Sequence, residues 1–242
     1  MAACLSASLG HAAIDNGATG NGELFLNVWD CTRSYTRDLD LSMDAFEAAL
    51  AEAGPIALSW PADPLLEKFL AGVLDHRELR WNLVAVDTRG AFRVLATRGP
   101  SGFEMLLDND TGRRLATAVQ AKINSINLGL NGAGDNRDPA DDAQSAIFRA
   151  CESGYAGDER SFGSRLSGKL SFDSHGTVAQ DQAATGLGLL RMDIRAIGTQ
   201  PATWHDYADE GGPARAWLDG AFTLHLGVPA TPAAAGETAA RP

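Results

Sequence analysis

Between Glu23 and Leu41 apolar side chains recur at every second residue, and this alternation constrains the chain more than any other feature. In Glu23–Trp29 (ELFLNVW), Leu24, Leu26 and Val28 fall on one side, and Phe25 and Trp29 on the other. Successive side chains of a strand point to opposite faces, so the pattern reads as a strand buried on at least one face. After a turn at Asp30–Ser34, Tyr35–Leu41 (YTRDLDL) alternates again, which makes the pair a hairpin. Leu79–Asp87 and Phe92–Thr97 form a second hairpin across Thr88–Ala91. Further strand patterns cover Ser164–Phe172, Thr185–Leu190, Arg191–Ile197 and Ala216–Leu226, the last alternating through Trp217, Phe222, Leu224 and Leu226. Trp29, Trp81 and Trp217, inside these patterns, read as core.

Three helices interrupt the strands. Ser42 is a good N-cap for MDAFEAALAEAG, whose Phe46, Ala49 and Leu50 share a face and which Gly54-Pro55 stops. Asp63 caps a second helix with Pro64 at its first position and Leu65 and Phe69 inward. Thr111 or Gly112 opens a third, in which Leu115, Val119, Ile123 and Ile126 keep helical spacing. The fold class expected is α+β: a mainly antiparallel, sandwich-like domain whose two sheets are joined by long connections and decorated with a few helices. One domain over residues 14–227 is expected, with a flexible lead-in at 14–22 and a Pro/Ala-rich tail at 228–242 that cannot form a core.

Charge narrows the function classes. With 20 Lys+Arg against 31 Asp+Glu the chain carries −11, which argues against nucleic acid and anionic membranes as partners. No apolar run is long enough to be a transmembrane segment. Met1–Ala13 (MAACLSASLGHAA) reads as the remnant of a secretory signal, with Gly10 and Ala12 at −3 and −1 of a cleavage site and the basic region lying upstream of Met1. The chain is therefore expected to be exported, secreted or held at the cell surface. Cleavage removes Cys4 and leaves Cys31 and Cys151, which in an oxidising compartment pair as a disulfide. Closing a loop of about 120 residues is worth ~4–5 kcal/mol in the chain-entropy view. The alternative is two separate thiols acting as small hydrophobes.

No catalytic motif emerges. There is no G-x-S-x-G, and Ser174 and His175, being neighbours, cannot form a catalytic pair. Asp108 and Asp110, and the crowded Asp135, Asp138, Asp141 and Asp142 in a polar loop, offer oxygen ligands of the kind calcium prefers, without the spacing of an EF-hand. The same residue types also make turns and helix caps. Trp204, His205, Asp206 and Tyr207, read as part of a loop, form a candidate glycan-contacting cluster. A pair among the many carboxylates, acting as in a polysaccharide hydrolase, is a third possibility that sequence cannot localise.

The opening GNGELFLNVWDCTRSYTRDLDLSMDAF (Gly20–Phe46), with WNLVAVD further on, resembles exported proteobacterial proteins that carry a C-terminal PEP-CTERM or VPLPA sorting signal. The resemblance implies a β-rich surface or matrix protein associated with exopolysaccharide, with no catalytic residues to transfer. Val228-Pro229-Ala230-Thr231-Pro232 is similar to VPLPA, and no transmembrane helix or arginine cluster follows it in this sequence. The function expected is non-enzymatic, with extracellular polysaccharide or other surface proteins as partners. The alternative is a carbohydrate-binding module using loop aromatics and calcium.

Overall fold

A computed structural model describes residues 13–52, 57–90, 92–99, 107–130, 144–158, 162, 165–166, 168–170, 173–178, 186–209 and 212–228. The chain opens with β1 (Glu23–Trp29), β2 (Arg33–Ser42), α1 (Met43–Ala51), β3 (Ala57–Trp60) and α2 (Pro64–Leu70). Then come β4 (Arg80–Asp87), β5 (Phe92–Arg98), α3 (Asn109–Leu130), β6 (Ser145–Arg149), β7 (Gly176–Thr177) and β8 (Leu187–Ile194). The remaining strands are β9 (Thr203–Asp206), β10 (Ala208–Asp209), β11 (Gly212–Pro213), β12 (Arg215–Leu218) and β13 (Leu224–Gly227).

The molecule is mostly antiparallel β-sheet with helices, as the alternation requires. Among the described residues the strands do not form the two facing sheets of a sandwich. Apart from the short β10–β11 pair they join one eleven-stranded sheet in the order β3-β13-β12-β8-β5-β4-β1-β2-β6, with β7 beside β4 and β9 beside β8. One sheet suffices because both of its faces are covered. On one face Phe25, Trp29, Val84, Val86, Val94, Met192 and Ile194 meet Leu115, Val119, Ile123 and Ile126 of α3, together with Phe162, Leu166 and Leu170. On the other, Leu24, Leu26, Val28, Leu83, Leu95 and Leu226 surround Met43 and Phe46 of α1 and Leu65, Leu66 and Phe69 of α2.

The second face is enclosed because the sheet curls until its ends meet. The Trp60 indole N–H, at the β3 edge, donates to the Leu39 carbonyl of β2 at 3.1 Å. Arg37 donates to the Pro61 carbonyl at 2.6 Å, and the Tyr35 hydroxyl donates to Asp63 at 2.6 Å. Asp63 also caps α2 by accepting from Leu66 N–H at 2.7 Å, so a single carboxylate starts the helix and closes the sheet. Ser42 caps α1 as its sequence indicates, accepting from Ala45 N–H.

Locally the chain departs from its sequence pattern in several places. Residues 14–22 are not a loose lead-in: Ile14 is buried, and its N–H and carbonyl are both held by the Asn127 side chain of α3. Gly17, at φ 70°, lies so close to the Val86 carbonyl that an added Cβ would collide with it. In place of the two strands expected at Thr185–Leu190 and Arg191–Ile197, one strand, β8, runs unbroken from Leu187 to Ile194. Ala216–Leu226 is a hairpin, because Asp219 accepts from the Ala221 and Thr223 N–H groups and turns the chain between β12 and β13. The turn changes which parity faces inward, so Trp217 leaves the core and stacks on His225 with ring centroids 5.1 Å apart. Within Ser164–Phe172 the described residues form turns, not a strand. Of residues 228–242 only Val228 is described, and it packs into the enclosed core.

Buried polar groups lie within this frame. A hydrogen-bonded row crosses β4, β1 and β2: the Asn27 amide donates to Asn82 at 2.9 Å, and the Thr36 hydroxyl donates to Asn27 at 2.7 Å. Asp38 of β2 is 3% exposed, and burial, reinforced by the Glu23 carboxylate, pushes its carboxyl up to about 7. The charged form is thus disfavoured in the folded chain relative to the unfolded one. Stability from this group is present below the unfolded value, near pH 4, and is lost as pH rises toward 7. Asp38→Asn is therefore expected to raise the thermal midpoint at pH 7.5 and to leave it nearly unchanged at pH 4.5. Thermal unfolding of both proteins across that range checks the slope.

Candidate functional site

A half-open cleft of about 740 Å³ lies at the end of the sheet where β1 runs into the β1–β2 turn. Its floor is Trp29, only 3% exposed, with the His175 ring 5.9 Å away. One rim carries Arg77 and Glu78 from the 3-10 turn His76–Glu78, and Arg80 from the start of β4. Register places Arg80 across from Trp29 on one side and Thr177 of β7 on the other, so the rim and floor are joined by sheet hydrogen bonding. Arg77, Glu78 and Arg80 are exposed.

The opposite wall is Tyr155 and Gly157 with the turn residues Asp30 and Cys31. The turn itself is tight. Asp30 N–H donates to the Arg33 carbonyl at 3.1 Å, and the Asp30 carboxylate accepts from the N–H groups of Thr32 and Arg33 at 2.7 and 2.8 Å. The Tyr155 hydroxyl donates to the Asp30 carbonyl at 2.6 Å. Burial, with the Asp30 and Cys31 side chains close by, pushes this phenol up to about 12, so it remains a hydrogen-bond donor at neutral pH. Lys122 of α3 reaches across to donate to the Ser153 and Tyr155 carbonyls at 2.5 and 2.6 Å. Gly157 fits between Tyr155 and Trp29, where an added Cβ would collide with both rings.

The lining thus sets two guanidiniums beside the carboxylates of Glu78 and Asp30, above an almost buried indole and a phenol that is already bonded to the Asp30 carbonyl. The guanidinium fork matches a carboxylate in a way that a point charge does not.

No family model, no curated protein and no solved structure matches the chain.

The residues singled out in the sequence are dispersed. Trp204, His205 and Asp206 belong to strand β9, not a loop, and the pleat divides the cluster. Trp204 packs against the α3 core, and Asp206 pairs with Arg98 at 3.1 Å. On the opposite face His205 lies 3.3 Å from Asp193, and buried Tyr207 donates to Glu47 at 2.8 Å. Glu47 and Asp193 in turn hold Arg191 at 2.7 and 2.8 Å, and Arg93 joins Asp87 and Asp44 at 2.9 and 2.8 Å. Burial would raise the Asp193 carboxyl, but Arg195 and Arg191 hold it below the usual range. This network fastens α1 to β5 and β8.

The two described calcium candidates have structural partners. Asp108 accepts from Thr111 N–H at 2.6 Å at the start of α3, which holds its carboxyl low, and Asp110 accepts from Gly198 N–H at 2.8 Å. Asp135, Asp138, Asp141 and Asp142 lie outside the described residues. Among the described residues no three His, Cys, Asp or Glu side chains are grouped to hold a metal ion.

Cys31 and Cys151 are both exposed and are not bonded to each other in this structure. They nevertheless occupy adjoining turns, because the Ala150 N–H donates to the Thr32 carbonyl at 2.8 Å. The cleft itself was not legible in the sequence. Arg77, Arg80 and Tyr155 have no shared motif, and only the tertiary pairing of β4 with β1 and the Tyr155–Asp30 bond gathers them.

The cleft wall can be tested by substitution. Tyr155→Phe leaves the Asp30 carbonyl without this donor and is expected to cost ~1–2 kcal/mol in urea denaturation. Gly157→Ala, which must displace Tyr155 or Trp29, is expected to cost more and to shift the tryptophan emission of the folded protein.

Proposed function

We propose that this protein works outside the cytosol as a non-enzymatic surface or matrix protein, and that its cleft binds a carboxylate-bearing sugar of extracellular polysaccharide. The observation that carries the binding reading is the pairing of Arg77 and Arg80 on one rim over the Trp29 floor. The same lining carries the carboxylates of Glu78 and Asp30, so the reading rests on direct contact with the two guanidiniums and not on a basic field. Repulsion from distant acids is screened beyond ~8 Å at physiological salt, while contact with the guanidiniums is not. Export is supported by the small-residue opening with its cleavage-like Gly10 and Ala12, and by the resemblance of Gly20–Phe46 to proteins with a C-terminal sorting signal.

Titration with uronic-acid oligosaccharides, followed by tryptophan fluorescence and calorimetry, tests the binding reading. Saturable binding is expected, weakened at least tenfold in Arg77→Ala/Arg80→Ala and in carboxyl-reduced oligosaccharides, with the thermal midpoint of the variant unchanged. Absence of binding, or equal binding by the double variant, overturns it. Fractionation of a bacterial host expressing the gene with its native upstream region tests export. Retention of the chain in the cytosol counts against that part of the reading.

A further inference from the structure

The geometry points to a disulfide between Cys31 and Cys151 that staples together the two segments forming one wall of the cleft, the β1–β2 turn and the stretch that leads to Tyr155. Its effect on the cleft rests on the binding-site reading above, whereas formation of the bond does not. In the sequence these cysteines are far apart and related only by their number. The fold brings them to one spot. In the β2–β6 ladder Arg33 pairs with Arg149, and the Ala150-to-Thr32 hydrogen bond extends the ladder one residue beyond the strands. Continued one step further, the same register would set Cys31 opposite Cys151.

Hydrogen-bonded partners across an antiparallel ladder stand ~5.5 Å apart at Cα, and the next pair, not mutually bonded, ~4.5 Å apart. A disulfide spans ~4.4–6.8 Å between Cα atoms. Each cysteine is exposed and lies in a turn, Asp30–Arg33 for Cys31 and Arg149–Glu152 for Cys151, the latter closed by Glu152 N–H donating to the Arg149 carbonyl at 2.9 Å. Exposure gives an oxidant access, and a turn can adjust without disturbing the core.

The position of the bond decides what it does. Cys31 lines the cleft directly. Cys151 precedes Glu152, whose carbonyl accepts from Tyr155 N–H at 3.0 Å, and Tyr155 belongs to the same wall as Cys31. Across this joint the Ala150–Thr32, Tyr155–Asp30 and Ala156–Ser34 hydrogen bonds already hold the 150–156 segment to the hairpin. A covalent bond at the mouth makes that attachment permanent and fixes the distance between Tyr155 and the turn.

With a glutathione disulfide as oxidant the chemistry balances. One cysteine thiolate attacks a glutathione sulfur, breaking its S–S bond and releasing one glutathione thiolate. The other cysteine thiolate then attacks the mixed disulfide, forming the Cys31–Cys151 bond and releasing the second glutathione. Two protein thiols lose their protons and two electrons in total, and the oxidant is reduced to two thiols.

The test uses the full chain carrying Cys4→Ser, reduced and then exposed to oxidised glutathione, in native buffer and in urea. The native protein is expected to lose two daltons with no glutathione adduct, to yield a linked Cys31–Cys151 peptide, and to react at least tenfold faster than the unfolded chain. Amide hydrogen exchange across residues 149–157 is expected to slow at least tenfold on oxidation. Persistent free thiols, or stable mixed glutathione adducts, in a protein with an unchanged thermal midpoint overturn the bond. A bond that leaves exchange at 149–157 unaltered overturns the stapling role. Neither readout involves sugar, so failure of the ligand reading would be separately visible.

Discussion

Everything in this fold follows from one sheet having to keep water off both of its faces. β1 and β4 are buried along almost their whole length, with aliphatic and aromatic side chains emerging above and below. A single sheet cannot cover itself on both sides by staying flat. Here α3 covers one face. The other face is closed by curling, with Trp60, Arg37 and Tyr35 fastening the region of β3 to β2 while α1 and α2 fill the interior. If the closing contacts failed, the enclosed apolar cluster would open to solvent, and at ~25 cal/mol per Å² the loss would rival the stability of a domain.

The cleft is a by-product of that arrangement. Curvature and twist leave the end of the sheet uneven, so that the β1–β2 turn, the start of β4 and the Tyr155 segment surround a gap with Trp29 at its base. Its walls are fixed by hydrogen bonds between side chains and backbone as well as by packing: Tyr155 to Asp30, Lys122 to the 153 and 155 carbonyls, Ala156 to Ser34. Rigid walls under exposed guanidiniums allow charged side chains to adapt while the aromatic floor stays in place. The larger charge network of Arg93, Arg191, Glu47 and Asp193 lies elsewhere, and with carboxylates and guanidiniums matched it is a fastening for α1 rather than a surface for ligands.

What could be read from residues alone was whatever depends on neighbours in sequence. The alternation of Glu23–Trp29, the caps at Ser42 and Asp63, and the helical stripe of Leu115, Val119, Ile123 and Ile126 all reappear in the structure. Short strands did not announce themselves. β3 and β6 hold their places by pairing with β13 and β2, partners far away along the chain. Between β12 and β13 an apparently continuous alternation concealed a turn, since an aspartate capping two N–H groups leaves no mark on hydrophobic periodicity. The Trp204–Tyr207 cluster looked coherent as a string, yet a pleated strand sends its members to opposite sides. Cys31 and Cys151 could be counted but not located, and Arg77, Arg80 and Tyr155 become neighbours only after the sheet has formed.

The amide and hydroxyl row through Asn82, Asn27 and Thr36 has a consequence for assembly rather than for stability. Aliphatic strands can slide past one another and still bury grease against grease. A slip here breaks both bonds and strands the Asn27 carboxamide in hydrocarbon, so three neighbouring ribbons have one alignment that keeps them. The row works as an alignment key, and it would let a molecule this rich in interchangeable leucines reject mispaired intermediates before the curl shuts.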